Sequence, residues 1–113
     1  MKIKTLFLSM LLTGFAMAQE KISLYPNGAT ESNELTVAES FRDKEFIVNI
    51  SEARMLAFPA EKAKANGYAV LICPGGGYGG VSQIKEGEEF ARWFNNMGIS
   101  AFVLYYRMPN GHY

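Results

Sequence analysis

The chain has 113 residues, and its 11 basic and 11 acidic side chains give a formal net charge of zero. A nucleic-acid-binding surface needs an excess of basic residues, so this balance argues against nucleic acid as a partner. Hydrophobic residues make up 49% of the chain and aromatic residues 13%, which excludes a disordered protein and indicates a globular domain.

Residues 1–18 have the pattern of a secretory signal peptide. A basic start with Lys2 and Lys4 precedes an apolar run that is too short to span a bilayer, and the small residues Ala-Met-Ala follow. We therefore predict cleavage before Gln19, a secreted or periplasmic location, and no stable membrane anchor after cleavage. An uncleaved anchor helix is the alternative.

The mature chain is expected to begin with a polar leader and to continue as one small domain. Residues 19–45 are polar and rich in turn-forming residues, with the strongest turn at Pro26-Asn27-Gly28, and are predicted to form an extended leader across the domain surface. Residues 46–113 are assigned to a partial α/β domain.

Three segments of that domain are predicted to be β-strands before the first helix. Residues 46–50 (FIVNI) alternate between apolar and polar, and residues 54–58 (RMLAF) form a second short run that ends at Pro59. Residues 68–73 (YAVLIC) are apolar at almost every position, which predicts a strand covered on both faces, as in a parallel sheet. Its Cys73 is the only thiol, so no internal disulfide is possible, and we expect it to be buried.

Residues 86–98 (EGEEFARWFNNMG) have helical periodicity. Four apolar residues at i, i+3, i+4 and i+7 predict a stripe that faces the core: Phe90, Trp93, Phe94 and Met97. Three glutamates lie in the first turn, where the helix dipole favours negative charge: Glu86, Glu88 and Glu89. Gly98 suits a left-handed cap at the end of the helix.

Residues 99–105 (ISAFVLY) are again apolar and predict a second buried strand. The order strand, glycine loop, helix, strand predicts a right-handed parallel unit. The predicted fold class is therefore α/β, with a mixed sheet built around this unit.

The glycine-rich stretch at residues 71–80 (LICPGGGYGG) has three interpretations. Gly75, Gly77 and Gly80 match the dinucleotide pattern G-x-G-x-x-G, but a polar stretch separates the loop from the helix and no acidic residue ends the next strand. The glycines could serve only a tight bend, although one or two would be enough. In the third interpretation, their amides form an oxyanion hole for acyl transfer. We expect no cofactor and no metal.

The segments VLICPGGGYGG, EGEEFARWFNNMGI and AFVLYYRMPNGH together resemble the N-terminal part of an α/β-hydrolase. They are similar in particular to secreted bacterial esterases related to acetyl xylan esterases and to the hormone-sensitive-lipase group. The resemblance implies that Gly76 and Gly77 present oxyanion-hole amides and that Tyr78 lines the acyl pocket. It also implies a structural role for Tyr106 and Arg107, and a polysaccharide or small ester as the substrate.

A serine hydrolase of this kind needs a nucleophile in a G-x-S-x-G turn, and the chain has none. Asp43 is the only aspartate and His112 the only histidine. A triad of these two residues with Ser82 is rejected, because Ser82 does not lie in such a turn. Ser100 does not lie in one either, because it opens a strand. In the family, the nucleophile and its partners follow the point at which this sequence stops. We therefore expect an N-terminal fragment that is inactive by itself.

Two other functions remain open. A secreted, non-catalytic carbohydrate-binding module would need an exposed aromatic platform, whereas Phe90, Trp93 and Phe94 have the spacing of a core stripe. A dienelactone-hydrolase-like or peptidase-like α/β-hydrolase is the alternative within enzymes.

Overall fold

The computed structural model describes residues 19–109; the predicted signal peptide and His112 lie outside the described residues. The elements, in chain order, are β1 (Lys21–Ser23), β2 (Ser40–Phe41), β3 (Phe46–Val48), β4 (Arg54–Phe58), β5 (Ala69–Ile72), β6 (Val81–Ser82), a π-helical turn (Ile84–Glu88), α1 (Glu89–Asn96) and β7 (Ser100–Tyr105). No helix within residues 19–109 combines the length and the apolar character that a membrane span requires.

Within residues 19–109, the main sheet has four strands in the order β1-β4-β7-β5. Strand β4 is antiparallel to both of its neighbours, and β5 is parallel to β7. The predicted mixed sheet is thus confirmed, as is the parallel pair on either side of the glycine loop and the helix. This arrangement is compatible with the α/β class.

One face of the main sheet carries the core. Along β7, Ala101, Val103 and Tyr105 are buried while the residues between them are only half-buried, because successive side chains point to opposite faces. The register places Phe58 beside Ala101 and Leu56 beside Val103, so buried side chains from the two strands lie next to each other.

A second sheet, which the sequence did not predict, has the order β2-β3-β6 and is antiparallel throughout. Ile47 of β3 and Val81 of β6 belong to the same apolar core as the buried residues of β7. Close pairing here depends on Gly80, because a Cβ at this position would lie 2.7 Å from the main-chain oxygen of Ile47.

The predicted leader, residues 19–45, takes part in both sheets. Strand β1 pairs with β4, with Ile22 opposite Met55, and β2 pairs with β3. The predicted turn forms between them, with the Gly28 amide donating to the Tyr25 carbonyl at 2.9 Å.

Helix α1 ends as predicted. Gly98 has a φ of +78°, its amide donates to the Asn95 carbonyl, and the Ile99 amide donates to the Phe94 carbonyl. This pair of hydrogen bonds is the Schellman motif, which satisfies the last carbonyl groups of the helix.

The prediction that the aromatic stripe of the helix faces the core was wrong for three of its four residues. Phe90, Trp93 and Met97 are 49%, 56% and 45% exposed, and only Phe94 packs against the core. The inward face instead carries Gly87 and Ala91. A Cβ at Gly87 would lie 2.9 Å from Val103 Cγ1, so small residues let the helical segment approach β7 closely and the bulky residues turn away.

The prediction that residues 68–73 are covered on both faces was also wrong. Strand β5 lies at the edge of the main sheet, where Val70 and Ile72 pack against the core while Leu71 is 56% exposed. Cys73, expected to be buried, is exposed. Within the described residues, only one face of β5 is covered, although its sequence is apolar on both.

Candidate active site at the glycine loop

Residues 73–80, called the glycine loop below, leave the end of β5 and lead into β6. Its centre is a tight turn in which the Gly79 amide donates to the Gly76 carbonyl at 3.0 Å. The two residues inside the turn, Gly77 and Tyr78, have φ values of +58° and +57°. Positive φ at both central positions is the mark of a type I′ turn.

Tyr78 adopts this left-handed conformation although it carries a side chain. Such a residue costs of the order of 1 kcal/mol relative to glycine, because its Cβ approaches the following carbonyl oxygen. The conformation places the ring in the open, 65% exposed, in an edge-to-face contact with Tyr106 at a centroid distance of 6.3 Å.

Gly76 is needed for close approach of the backbone. A Cβ there would lie 2.0 Å from the main-chain oxygen of Gly80 and 3.2 Å from the Phe46 ring. Any other residue at position 76 would therefore force the backbone at positions 76 and 80 apart.

Hydrogen bonds with three different parts of the chain hold the start of the loop. The Tyr106 hydroxyl donates to the Pro74 carbonyl at 2.7 Å, and the Ser82 amide donates to the Gly75 carbonyl at 2.9 Å. The Gly75 amide in turn donates to Glu86 Oε2 at 2.6 Å. Burial is the main reason that the pKa of Tyr106 lies above its ordinary value.

The next two amides behave differently. Among the hydrogen bonds formed within residues 19–109, none uses the N–H group of Gly76 or of Gly77. Both residues line an open pocket of about 600 Å³, together with Cys73, Pro74, Gly75, Tyr78, Tyr106 and Arg107. The loop therefore offers two unpaired amide donors at a cavity. Tyr78 lies beside them. The assignment of Gly76 and Gly77 to an oxyanion hole and of Tyr78 to the acyl pocket stays a prediction.

The serines that were considered as nucleophiles have structural partners. The buried Ser82 hydroxyl donates to Glu45, whose carboxylate also accepts the Lys85 amide at 3.0 Å. The Ser82 hydrogen bond is the main reason that the pKa of Glu45 is below its usual value. Ser100 accepts a hydrogen bond from the Ala60 amide at 2.9 Å.

Asp43 is a turn residue. It accepts hydrogen bonds from the amides of Phe46 and Glu45, at 2.9 Å and 2.8 Å, and the Phe46 amide is the largest cause of its lowered pKa. Asp43 thus fixes the entry to β3 and does not pair with Ser82.

Arg107 holds the leader in place. Its guanidinium donates to the Glu31 carbonyl and lies 5.7 Å from the centre of the Tyr25 ring. This agrees with the structural role that the resemblance implied. In the part of the chain that the structure describes, no group of three or more His, Cys, Asp or Glu residues could hold a metal ion.

Sequence reasoning missed the contact between Glu86 and the loop, because it explained Glu86 as a charge at the start of a helix. Glu86 does lie in the first helical turn, but its carboxylate reaches the Gly75 amide, 11 residues earlier in the chain. A single acidic residue at this spacing gives no sign of such a contact in the sequence.

The structural unit of this site is a pair of parallel strands. A strained glycine turn and a helix connect the two strands, and two amides of the turn are unpaired within residues 19–109.

No family model matches the chain. A segment of 71 residues is 39% identical to a protein named acetylxylan esterase from Xylanibacter ruminicola; it covers 60% of this chain and 14% of that relative. The match supports a distant relationship to esterases.

Proposed function

We propose that this chain carries the oxyanion-hole segment of a secreted serine esterase of the α/β-hydrolase type, acting on acetyl esters of plant polysaccharide such as acetylated xylan. The observation that carries the proposal is the pair of unpaired amides, Gly76 and Gly77, at an open pocket. Similarity to a protein named acetylxylan esterase supports the ester class and the substrate.

The chemistry follows from where charge develops. Attack on an acetyl carbonyl carbon places negative charge on the carbonyl oxygen, and N–H groups already aimed at that oxygen stabilise it by about 3 kcal/mol each. Gly76 and Gly77 supply these donors, and Tyr78 bounds the space for the acyl group. Because hydrogen bonds at Pro74 and Gly75 hold the start of the loop, the donors need little rearrangement during the reaction.

Residues 19–109 contain no histidine, and Ser82 and Ser100 are engaged in structural hydrogen bonds. The proposed reaction therefore requires a nucleophile and a base from outside the described residues. By itself, the chain is expected to release no acetate from acetylated xylan.

A chimera tests the proposal. The matched segment of the Xylanibacter ruminicola protein is replaced by the matched segment of this chain, and acetate release from acetylated xylan is measured. We expect an active chimera. In it, Gly76→Ala, whose Cβ collides with Gly80, should lower kcat by about 100-fold.

Gly77→Ala is the matched comparison, because its Cβ would meet nothing within 4 Å and only the penalty of its left-handed φ of +58° applies. It should cost less than Gly76→Ala. A folded chimera without activity, or one in which Gly76→Ala keeps the full kcat, would overturn the proposal.

A non-catalytic carbohydrate-binding module is the second candidate, because Phe90 and Trp93 are exposed where the sequence predicted them buried. Native electrophoresis of the chain in gels that contain xylan tests it. Retardation that Trp93→Ala abolishes would favour this candidate; migration unaffected by xylan would exclude it.

A further inference from the structure

Both polar groups of the Gly75 backbone are held by other elements. Its amide donates to Glu86 on the π-helical turn at 2.6 Å, and its carbonyl accepts the Ser82 amide from β6 at 2.9 Å. A Cβ on Gly75 would lie 2.9 Å from Glu86 Oε2, so the carboxylate sits against the bare Cα.

The hydrogen bond that the Gly75 amide donates to Glu86 is charge-assisted and lies at an exposed position. Its acceptor is a carboxylate, and charge-assisted hydrogen bonds are shorter and roughly twice as strong as neutral ones. It also acts next to the site, because Gly75 directly precedes the two unpaired amides of Gly76 and Gly77. Fixing the Gly75 amide limits the backbone rotations that would reorient these two amides.

We propose that Glu86 is a positioning residue of the glycine loop: its carboxylate holds the Gly75 amide and thereby orients the amides of Gly76 and Gly77. The catalytic meaning of this role rests on the proposed function, whereas the contact itself does not. Glu86 touches no substrate in this mechanism; it acts through the backbone.

Amide NMR spectroscopy and hydrogen exchange of the purified chain test the contact directly. The Gly75 amide proton should be shifted downfield and protected from exchange. Glu86→Ala should abolish the shift and raise exchange at Gly75 and at the turn amide of Gly79 by about 10-fold, the effect of losing about 1.4 kcal/mol. Glu86→Gln keeps an oxygen acceptor and should restore part of the protection.

Two further variants keep the test decisive. Glu89→Ala, an exposed position in the next turn, should leave both amides unchanged. Gly75→Ala displaces the carboxylate from the other side, so it should reproduce the effect of Glu86→Ala, and the double variant should be no worse than either single one. An unprotected Gly75 amide in the unaltered chain, or one that Glu86→Ala leaves unchanged, would overturn the proposal.

The chimera separates this inference from the proposed function. There, Glu86→Ala should lower kcat by about 10-fold with KM nearly unchanged, and Glu86→Gln should recover part of the loss. If Glu86→Ala loosens the loop by NMR but kcat is unaffected, the positioning role fails while the proposed function stands. If the unaltered chimera is folded but inactive, the proposed function fails, and the NMR result still decides whether Glu86 holds the loop.

Discussion

The Tyr106 hydroxyl donates a hydrogen bond to the Pro74 carbonyl at 2.7 Å, across 32 residues of sequence. It joins the segment that follows β7 to the point where the chain leaves β5. Since β5 and β7 are parallel neighbours, their carboxyl ends lie side by side, and the hydrogen bond of Tyr106 connects the end of β7 to the glycine loop.

Replacing this tyrosine by phenylalanine should measure the contribution of the hydrogen bond to the stability of the fold. Tyr106→Phe leaves the buried Pro74 carbonyl without its donor, so we expect a loss of about 1 kcal/mol in the free energy of unfolding, measured with urea. Tyr68→Phe is the control, because Tyr68 is 74% exposed. Equal stability of the two variants would show that the Pro74 contact contributes nothing.

The left-handed conformation of Tyr78 leads to a prediction with an unusual sign. Glycine adopts a φ of +57° without strain, so Tyr78→Gly should be more stable than Tyr78→Ala by about 1 kcal/mol. Comparing the two variants with each other removes the contribution of the lost ring contact with Tyr106. Urea unfolding measures the difference, and an alanine variant as stable as the glycine variant would contradict the turn geometry.

Gly98 and Gly28 form a matched pair of left-handed glycines. Gly98 has a φ of +78° and a Cβ there would lie 2.1 Å from the Lys64 carbonyl oxygen, whereas Gly28 has a φ of +85° and open space around it. Gly28→Ala should therefore cost about 1 kcal/mol, the conformational penalty alone, and Gly98→Ala at least about 2 kcal/mol more. Melting temperatures of the two variants give the comparison; similar values would rule out the close contact at the helix end.

Tyr105 should make the fold sensitive to alkaline pH. Burial raises its pKa to about 12 from an ordinary value of 10.0, so the folded chain keeps the phenol proton that the unfolded chain releases. The stabilisation is complete below pH 10 and is lost as the pH rises toward 12. The urea midpoint should fall in this window, and less steeply in Tyr105→Phe than in Tyr68→Phe. Parallel curves for the two variants would contradict the assigned burial.

Local patterns predicted the elements that depend on local chemistry. The strand at residues 54–58 and the strand ending at Tyr105 follow from short apolar runs, and the glycine cap at Gly98 follows from the freedom of glycine at positive φ. The parallel pairing of β5 and β7 followed from two apolar runs separated by a helix.

What the sequence could not show are the contacts between distant segments. The second sheet depends on Gly80 lying against Ile47, and the helix turns its small residue Ala91 inward because Gly87 already touches Val103. Neither contact leaves a periodic pattern, so the sequence predicts the most apolar stripe of the helix as its buried face.

The candidate site also has features that the sequence predicts and features that it does not. The run of glycines identified the loop, but not the left-handed Tyr78, the hydrogen bond that Glu86 accepts or the one that Tyr106 donates. These features depend on side chains that reach across 11 and 32 residues, and the sequence alone assigns them ordinary roles.

The register of the main sheet also constrains how the protein is made. Every pairing in that sheet joins residues at least 31 positions apart, as Ser23 with Arg54 and Ala69 with Ser100 do, so none can form as a local hairpin. Pairings at such separation are slow to form, because the entropy of closing a long loop is lost before the paired residues interact. Strands β1 and β4 can pair as soon as both are present, but β5 has no partner until β7 follows, so Val70 and Ile72, which pack against the core in the folded chain, stay uncovered for that interval.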